Sequence, residues 1–119
     1  MTTLTLTRPD DGHLHLRDGA ALHAVVPHSA RRFARALIMP NLRPPVTTTA
    51  QALAYRSRIL QAIPPGLDFQ PLLTLYLTDH TPPDEITRAQ VSGQVIAGKL
   101  YPAGATNHAE NEETDLRNI

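Results

Sequence analysis

Cysteine is absent from the 119 residues, which excludes disulfide frameworks and thiolate metal sites, so any metal must be held by nitrogen and oxygen ligands. An excess of charge of either sign is also lacking. Eleven Lys and Arg balance eleven Asp and Glu, so no strong field invites nucleic acid or an anionic membrane, and neither is expected as a partner. No stretch approaches the roughly 20 apolar residues of a membrane helix, and the opening Met-Thr-Thr-Leu-Thr-Leu-Thr has no basic segment followed by an apolar run. A cytoplasmic protein is expected. The 41% of hydrophobic residues that are present suffice for the core of one domain.

After a short alternating segment at residues 4–7, every second residue from Asp11 to Arg17 is polar, which is strand periodicity. Residues 20–33 carry Leu22, Val25 and Val26 at helical spacing, with Pro27 expected to limit or kink the helix. Ala36-Leu37-Ile38-Met39 reads as a short buried strand stopped by Pro40. Thr47-Thr48-Thr49 offers cap hydroxyls to a helix over residues 50–63, with Leu53, Ile59, Leu60 and Ile63 as its apolar stripe and Arg56 and Arg58 outside it. Pro64-Pro65-Gly66 ends that helix, and residues 69–77 read as the next strand. Pro82-Pro83-Asp84-Glu85 opens a helix that runs to about Gly93, and a fourth strand spans residues 94–101.

Strands alternating with helices imply right-handed crossovers and a parallel α/β sheet covered on both faces. Four such steps suit either an open doubly wound sheet or the first half of a (β/α)8 barrel, and a whole barrel takes about 250 residues. The stretch at residues 108–119 holds four acids and ends without a closing element, so the chain is expected to be one portion of a single domain cut on its C-terminal side.

Chemistry concentrates in His13-Leu14-His15-Leu16-Arg17. On a strand, residues i, i+2 and i+4 share a face, so two imidazoles and a guanidinium point together while Leu14 and Leu16 face away. Two His so spaced can place nitrogens about 2.0 to 2.1 Å from one metal, with Asp11 able to ligate or orient. Arg17 does not bind a cation; beside a metal its planar fork suits the carboxylate of a substrate. Taken alone, such a run is most simply a half-exposed strand with incidental polar residues. His23, His28, His80 and His108 read as surface or satisfied histidines. Asn41 follows Met39-Pro40 at a strand's carboxyl end, where α/β folds bind ligands, although Asn-Leu-Arg-Pro-Pro suits a plain turn equally. Lys99 interrupts an apolar run on a strand expected to be buried on both sides. A lysine there snorkels, pairs with a carboxylate, loses its proton or is chemically altered, and on its own account snorkelling or pairing is the expected outcome.

Three runs change that balance: Arg-Pro-Asp-Asp-Gly-His-Leu-His-Leu-Arg-Asp at residues 8–18, Met-Pro-Asn-Leu-Arg-Pro-Pro-Val-Thr-Thr at 39–48, and Lys-Leu-Tyr-Pro-Ala-Gly-Ala-Thr-Asn at 99–107. In this order and spacing the chain resembles the homodimeric, bacterial-type dihydroorotases of the amidohydrolase superfamily, with further similarity at residues 54–60 and 76–79. The resemblance implies the N-terminal part of a (β/α)8 TIM barrel, incomplete in this chain, with a two-zinc centre. It implies interconversion of carbamoyl-aspartate and dihydroorotate in pyrimidine synthesis. It places His13 and His15 on the first zinc and makes Lys99 a carbamylated bridge between the two metals. His15, Arg17, Asn41 and Thr106 are implied to lie against the substrate. The family draws two further His ligands and an Asp base from later strands, with no counterpart before Ile119, so this chain is expected to be inactive alone. After Thr106 the usual Thr-Thr-Asn run is reduced to a single Thr before Asn107. The alternatives are a non-catalytic dihydroorotase-like subunit that binds a partner enzyme, or another cyclic amidohydrolase of hydantoinase or allantoinase type.

Overall fold

The computed structural model describes residues 2–101. Four strands, β1 (Asp10–Leu14), β2 (Arg35–Ile38), β3 (Gln70–Tyr76) and β4 (Val95–Lys99), alternate with three helices, α1 (Gly19–Arg32), α2 (Thr49–Ala62) and α3 (Pro83–Ser92). The strands form one parallel sheet in the order β1-β2-β3-β4. A doubly wound sheet reverses its order at a switch point, whereas here each strand joins the free edge left by the one before, which is how a (β/α)8 barrel is built. The helices share one face, α1 packed on α2 and α2 on α3. Among the described residues no helix is long and apolar enough to cross a membrane.

Local sequence explains where most elements begin and end. Thr48 caps α2 with a reciprocal capping box: its side chain accepts from Gln51 N at 3.2 Å, while Gln51 Oε1 accepts from Thr48 N at 3.2 Å. Pro83 and the acids Asp84 and Glu85 occupy the first turn of α3, and Gly93 ends it in the left-handed conformation at φ 70°. Pro27 does not end its helix. α1 runs through it to Arg32 because Leu22, Val26 and Ala30 are buried on both sides of the proline and hold the axis in place despite one missing backbone bond.

The core lies between the helical layer and the sheet, with Leu22, Val26, Ile38, Tyr55, Ile59, Leu73 and Leu75 at its centre. The stripe of α2 differs from the expected one. Ala52, Tyr55, Ile59 and Ala62 are buried, whereas Leu53 and Leu60 are 39% and 38% exposed. Close approach of a helix to its neighbours favours small side chains at the contact, so alanines take positions that hydropathy assigns to leucines. β4 is not buried on both sides either. Among the described residues it pairs with β3 alone, and Ile96, Ala97 and Gly98 are exposed.

At the rim formed by the strands' amino ends, the Arg8 guanidinium donates to the carbonyls of Ala30 and Asp68 and ties together the chain entering β1, the end of α1 and the approach to β3. Between α2 and α3, buried Glu85 accepts from Thr49 Oγ1 at 2.9 Å and from Arg88 Nε at 3.1 Å. Burial alone would raise the Glu85 carboxyl, but the Arg88 and Thr49 hydrogen bonds hold it below its ordinary value of 4.5. A carboxylate with a depressed folded-state pKa contributes stability that is present above the unfolded pKa and lost as pH falls through the folded one. Glu85→Gln is therefore expected to flatten the decline of the melting temperature below about pH 4.5; an unchanged acid limb shows that the carboxylate is not linked to folding.

Candidate active site

Parallel strands place all their carboxyl ends along one rim, and the singled-out residues lie there. β1 ends at Leu14, so the strand stops short of the expected Arg17. His13 is its penultimate residue, and His15 follows in extended continuation alongside β2, where Met39 N donates to Leu14 O at 2.8 Å. The two imidazoles converge. His13 Nε2 and His15 Nε2 are 3.0 Å apart, with ring centroids 5.0 Å apart and planes inclined by 52°. Two nitrogens at that separation, each about 2.05 Å from a shared point, subtend roughly 94° there, so the pair fits two neighbouring positions on one metal ion. Asp11 turns to a different task and accepts the backbone N–H of His13 at 3.0 Å, which fixes the approach to the pair. Among the described residues no three His, Asp, Glu or Cys side chains gather as a metal site by themselves.

Lys99 closes β4 and faces the same rim. Among the described residues it pairs with no carboxylate. Its Nζ donates to Asn41 Oδ1 at 3.0 Å, and it lies 5.4 Å from the centroid of the Tyr101 ring. Burial lowers the Lys99 pKa from its ordinary 10.5, because desolvation disfavours the ammonium. The His15 imidazole is also held below its ordinary value, first by burial and then by the positive charges of Lys99, His13 and Arg17. With the charges of Lys99 and Arg17 beside two converging imidazoles, this corner is deficient in negative charge among the described residues. Beside Lys99, a side chain at Gly98 would meet Leu77, whose nearest atom lies 2.9 Å from an ideal Cβ, so the bare backbone there lets β4 approach the end of β3.

Arg17 reaches the rim by a different route from the expected one. Its backbone is left-handed at φ 62°, which ends the strand alternation and sends the side chain away from the continuation of β1. With Asp18, Asn41, Leu42, Arg43 and Arg58 it lines a cleft of about 440 Å³ between the loop after β1 and the loop after β2. The latter loop contains a cis Arg43–Pro44 peptide and folds back so that Val46 O accepts from Tyr76 N at 2.7 Å. Asn41 belongs to both places. Its carbonyl oxygen bonds Lys99 while its residue lines the Arg17 cleft, so among the described residues the amide nitrogen is left as a donor.

Sequence reasoning missed two supporting residues. Tyr55 on α2 donates its hydroxyl to the Arg17 carbonyl, and Arg58 grips Asp18 through Nε and a terminal nitrogen at 2.9 and 3.0 Å. Their partners are 38 and 40 residues away, and the only signal available was a large polar-tipped aromatic one turn from an arginine in the middle of an amphipathic helix. His23, His28 and His80 are exposed, as expected of surface histidines. Thr106, His108 and the stretch at 108–119 lie outside the described residues.

Left-handed backbone at a residue with a side chain costs about 1–2 kcal/mol, and glycine escapes that cost at an entropic penalty of about 0.5–1 kcal/mol. Arg17→Gly is thus expected to leave unfolding free energy within about 1 kcal/mol of the parent, whereas β-branched Arg17→Val lowers it by about 2 kcal/mol. Equal losses for the two in denaturant titrations would show that position 17 carries no strain.

No protein-family model matches the chain. Curated relatives match it from end to end. The dihydroorotase of Leptothrix cholodnii is 72% identical over 116 residues, which make up 98% of this chain and 33% of that protein. The dihydroorotase of Azoarcus sp. strain BH72 is 69% identical over 119 residues, all of this chain and 35% of the relative. Among solved structures, the Campylobacter jejuni dihydroorotase has a TM-score of 0.80 at 38% identity, covering 91% of this chain and 31% of that one. The Saccharomyces cerevisiae dihydroorotase, crystallised with 5-fluoroorotic acid, has a TM-score of 0.78 at 32% identity over 87% of this chain and 28% of its own. The chain spans about a third of the length of the curated relatives it matches. In both sequence and fold, its four strands and their helices being part of a TIM barrel incomplete in this chain, the protein belongs to the dihydroorotase family.

Proposed function

We propose that this chain is the N-terminal portion of the barrel of a zinc-dependent dihydroorotase and supplies the first half of its site for interconverting carbamoyl-aspartate and dihydroorotate. The observation that carries the reading is the convergence of His13, His15, Asn41 and Lys99, from three separate strand ends, within hydrogen-bonding distance in pairs. His13 and His15 would hold a zinc ion through Nε2. Lys99, its proton affinity lowered by burial, presents a neutral amine more readily than an exposed lysine does. Addition of that amine to carbon dioxide forms an N–C bond and releases the amine's proton. The product is a carbamate whose two oxygens give the corner the negative charge it lacks and serve as metal ligands. Zinc bound there supplies Lewis acidity toward an amide carbonyl and a bound water of lowered pKa.

The remaining residues determine which cyclic amide is accepted. The guanidinium of Arg17 and the amide nitrogen of Asn41 offer a planar set of donors to a carboxylate on the ring, a group that dihydroorotate has and unsubstituted hydantoin lacks. That favours the dihydroorotase reading over a hydantoinase or allantoinase. Thr106 is assigned to the same substrate. The further metal ligands and the general base are assigned to chain beyond Ile119, so the 119 residues alone are inactive. A second reading, a non-catalytic dihydroorotase-like subunit, draws on one observation: the described residues hold no complete three-ligand metal cluster.

Ring-opening of dihydroorotate by the full-length product, with and without chelator, separates the two. The expected result is activity abolished by chelation and restored by zinc, and lowered in His13→Ala by more than about a hundredfold, the upper end for losing an outer-shell partner. A full-length product that binds no zinc and opens no ring establishes the non-catalytic subunit instead.

A further inference from the structure

The left-handed backbone at Arg17 needs something to hold it, because a side chain at φ 62° is uncommon and persists only where its surroundings over-determine it. Residues on either side are fixed. Leu16 is 1% exposed and locked into the core, and Asp18 is gripped by the two nitrogens of Arg58. The Arg17 carbonyl is held by the hydroxyl of Tyr55, itself 1% exposed and rigid within the helical layer. The two holds are joined, since the Arg58 guanidinium lies 5.3 Å from the centroid of the Tyr55 ring. Of these three loop residues, only Arg17 keeps a side chain with neither core packing nor a hydrogen bond among the described residues, and that side chain lines the cleft. α2 is also the floor of the cleft, and it begins just after the loop that carries Asn41. The helix therefore sets Arg17 and Asn41 relative to one another.

We infer that Tyr55, reinforced by the Asp18–Arg58 pair, is a positioning residue that holds Arg17 in its left-handed conformation and so aims the guanidinium at the carboxylate of an anionic substrate. The identity of that substrate rests on the dihydroorotase reading; the positioning itself does not. Tyr55 touches no reacting atom and acts through Arg17. Burial pushes its phenol well above the ordinary tyrosine range, so the hydroxyl stays a donor across the neutral range. Its removal is expected to loosen substrate binding rather than the chemical step.

Two measurements test this. In NMR of the 119-residue chain, the intraresidue contact between the Arg17 amide and α protons is strong when φ is positive; it is expected in the parent and lost in Tyr55→Phe. In the complete dihydroorotase carrying this chain, Tyr55→Phe is expected to raise KM for dihydroorotate about tenfold with kcat changed by less than about twofold. Ile59→Val, a core change on the same helix, lowers stability and leaves KM alone. If Tyr55→Phe fails to fold, Arg58→Gln on the exposed side of α2 serves for the same comparison, with a KM rise of about threefold. An Arg17 that stays left-handed with unchanged KM, or a loss confined to kcat, overturns the inference. A complete parent enzyme that opens no dihydroorotate refutes the functional reading, and the proton contact at Arg17 then decides the positioning role alone.

Discussion

The parallel register of the sheet is the constraint on which everything else depends. Because β1, β2, β3 and β4 run the same way and add in order, every strand ends on one rim and every return helix lies on one face. That single fact separates the molecule into two functional edges. At the rim of amino ends, Arg8 ties backbone carbonyls together. At the rim of carboxyl ends His13, His15, Asn41 and Lys99 converge, two imidazoles, an amide and an amine, with no carboxylate among those four. A corner so composed is poorly suited to stand empty of anions, and the chemistry proposed for Lys99 supplies one.

Much of this was legible because it is encoded locally. Thr48 with Gln51 three residues later announces the start of α2, and Pro83 followed by Asp84 and Glu85 announces α3, since each cap is satisfied within one turn of chain. The pairing of His13 with His15 follows from the two-residue period of an extended chain, which holds even one residue beyond the strand. What was not legible depends on distance. Nothing near Arg17 in the sequence says that a tyrosine 38 residues on holds its carbonyl and permits φ 62°, so the strand was read as continuing. Nothing near Lys99 says that its partner is Asn41 rather than an acid. The burial of Ala52 and Ala62 in place of Leu53 and Leu60 reflects how closely α2 packs on its neighbours, a quantity no hydropathy pattern contains. The exposure of Ile96 at 54% follows from β4 having, among the described residues, a neighbour on one side only.

Arg17 also shows how a local conflict marks a site. A residue that breaks the backbone preference of its type, flanked by a buried leucine and a paired aspartate, is stabilised by neighbours that make no other use of it. Its strain and its solvent-facing guanidinium share one cause: the turn that ends β1 puts that residue on the cleft between the loops after β1 and β2. Asn41, reaching from the next loop, joins the cleft to the lysine corner. On the proposed reading the site has two compartments, one for positive charge to be neutralised and one for a planar anion to be gripped.

The open edge of β4 has a kinetic meaning. The register pairs Asp10 with Arg35, Arg35 with Gln70 and Leu73 with Val95, sequence separations of 25, 35 and 22 residues. Loop-closure entropy rises only with the logarithm of such lengths, so the three closures are nearly equal hurdles. His13 and Asn41 depend on the β1–β2 pairing, whereas Lys99 depends on the β3–β4 pairing. Whatever disturbs the docking of β4 therefore removes the lysine while leaving the histidine pair assembled.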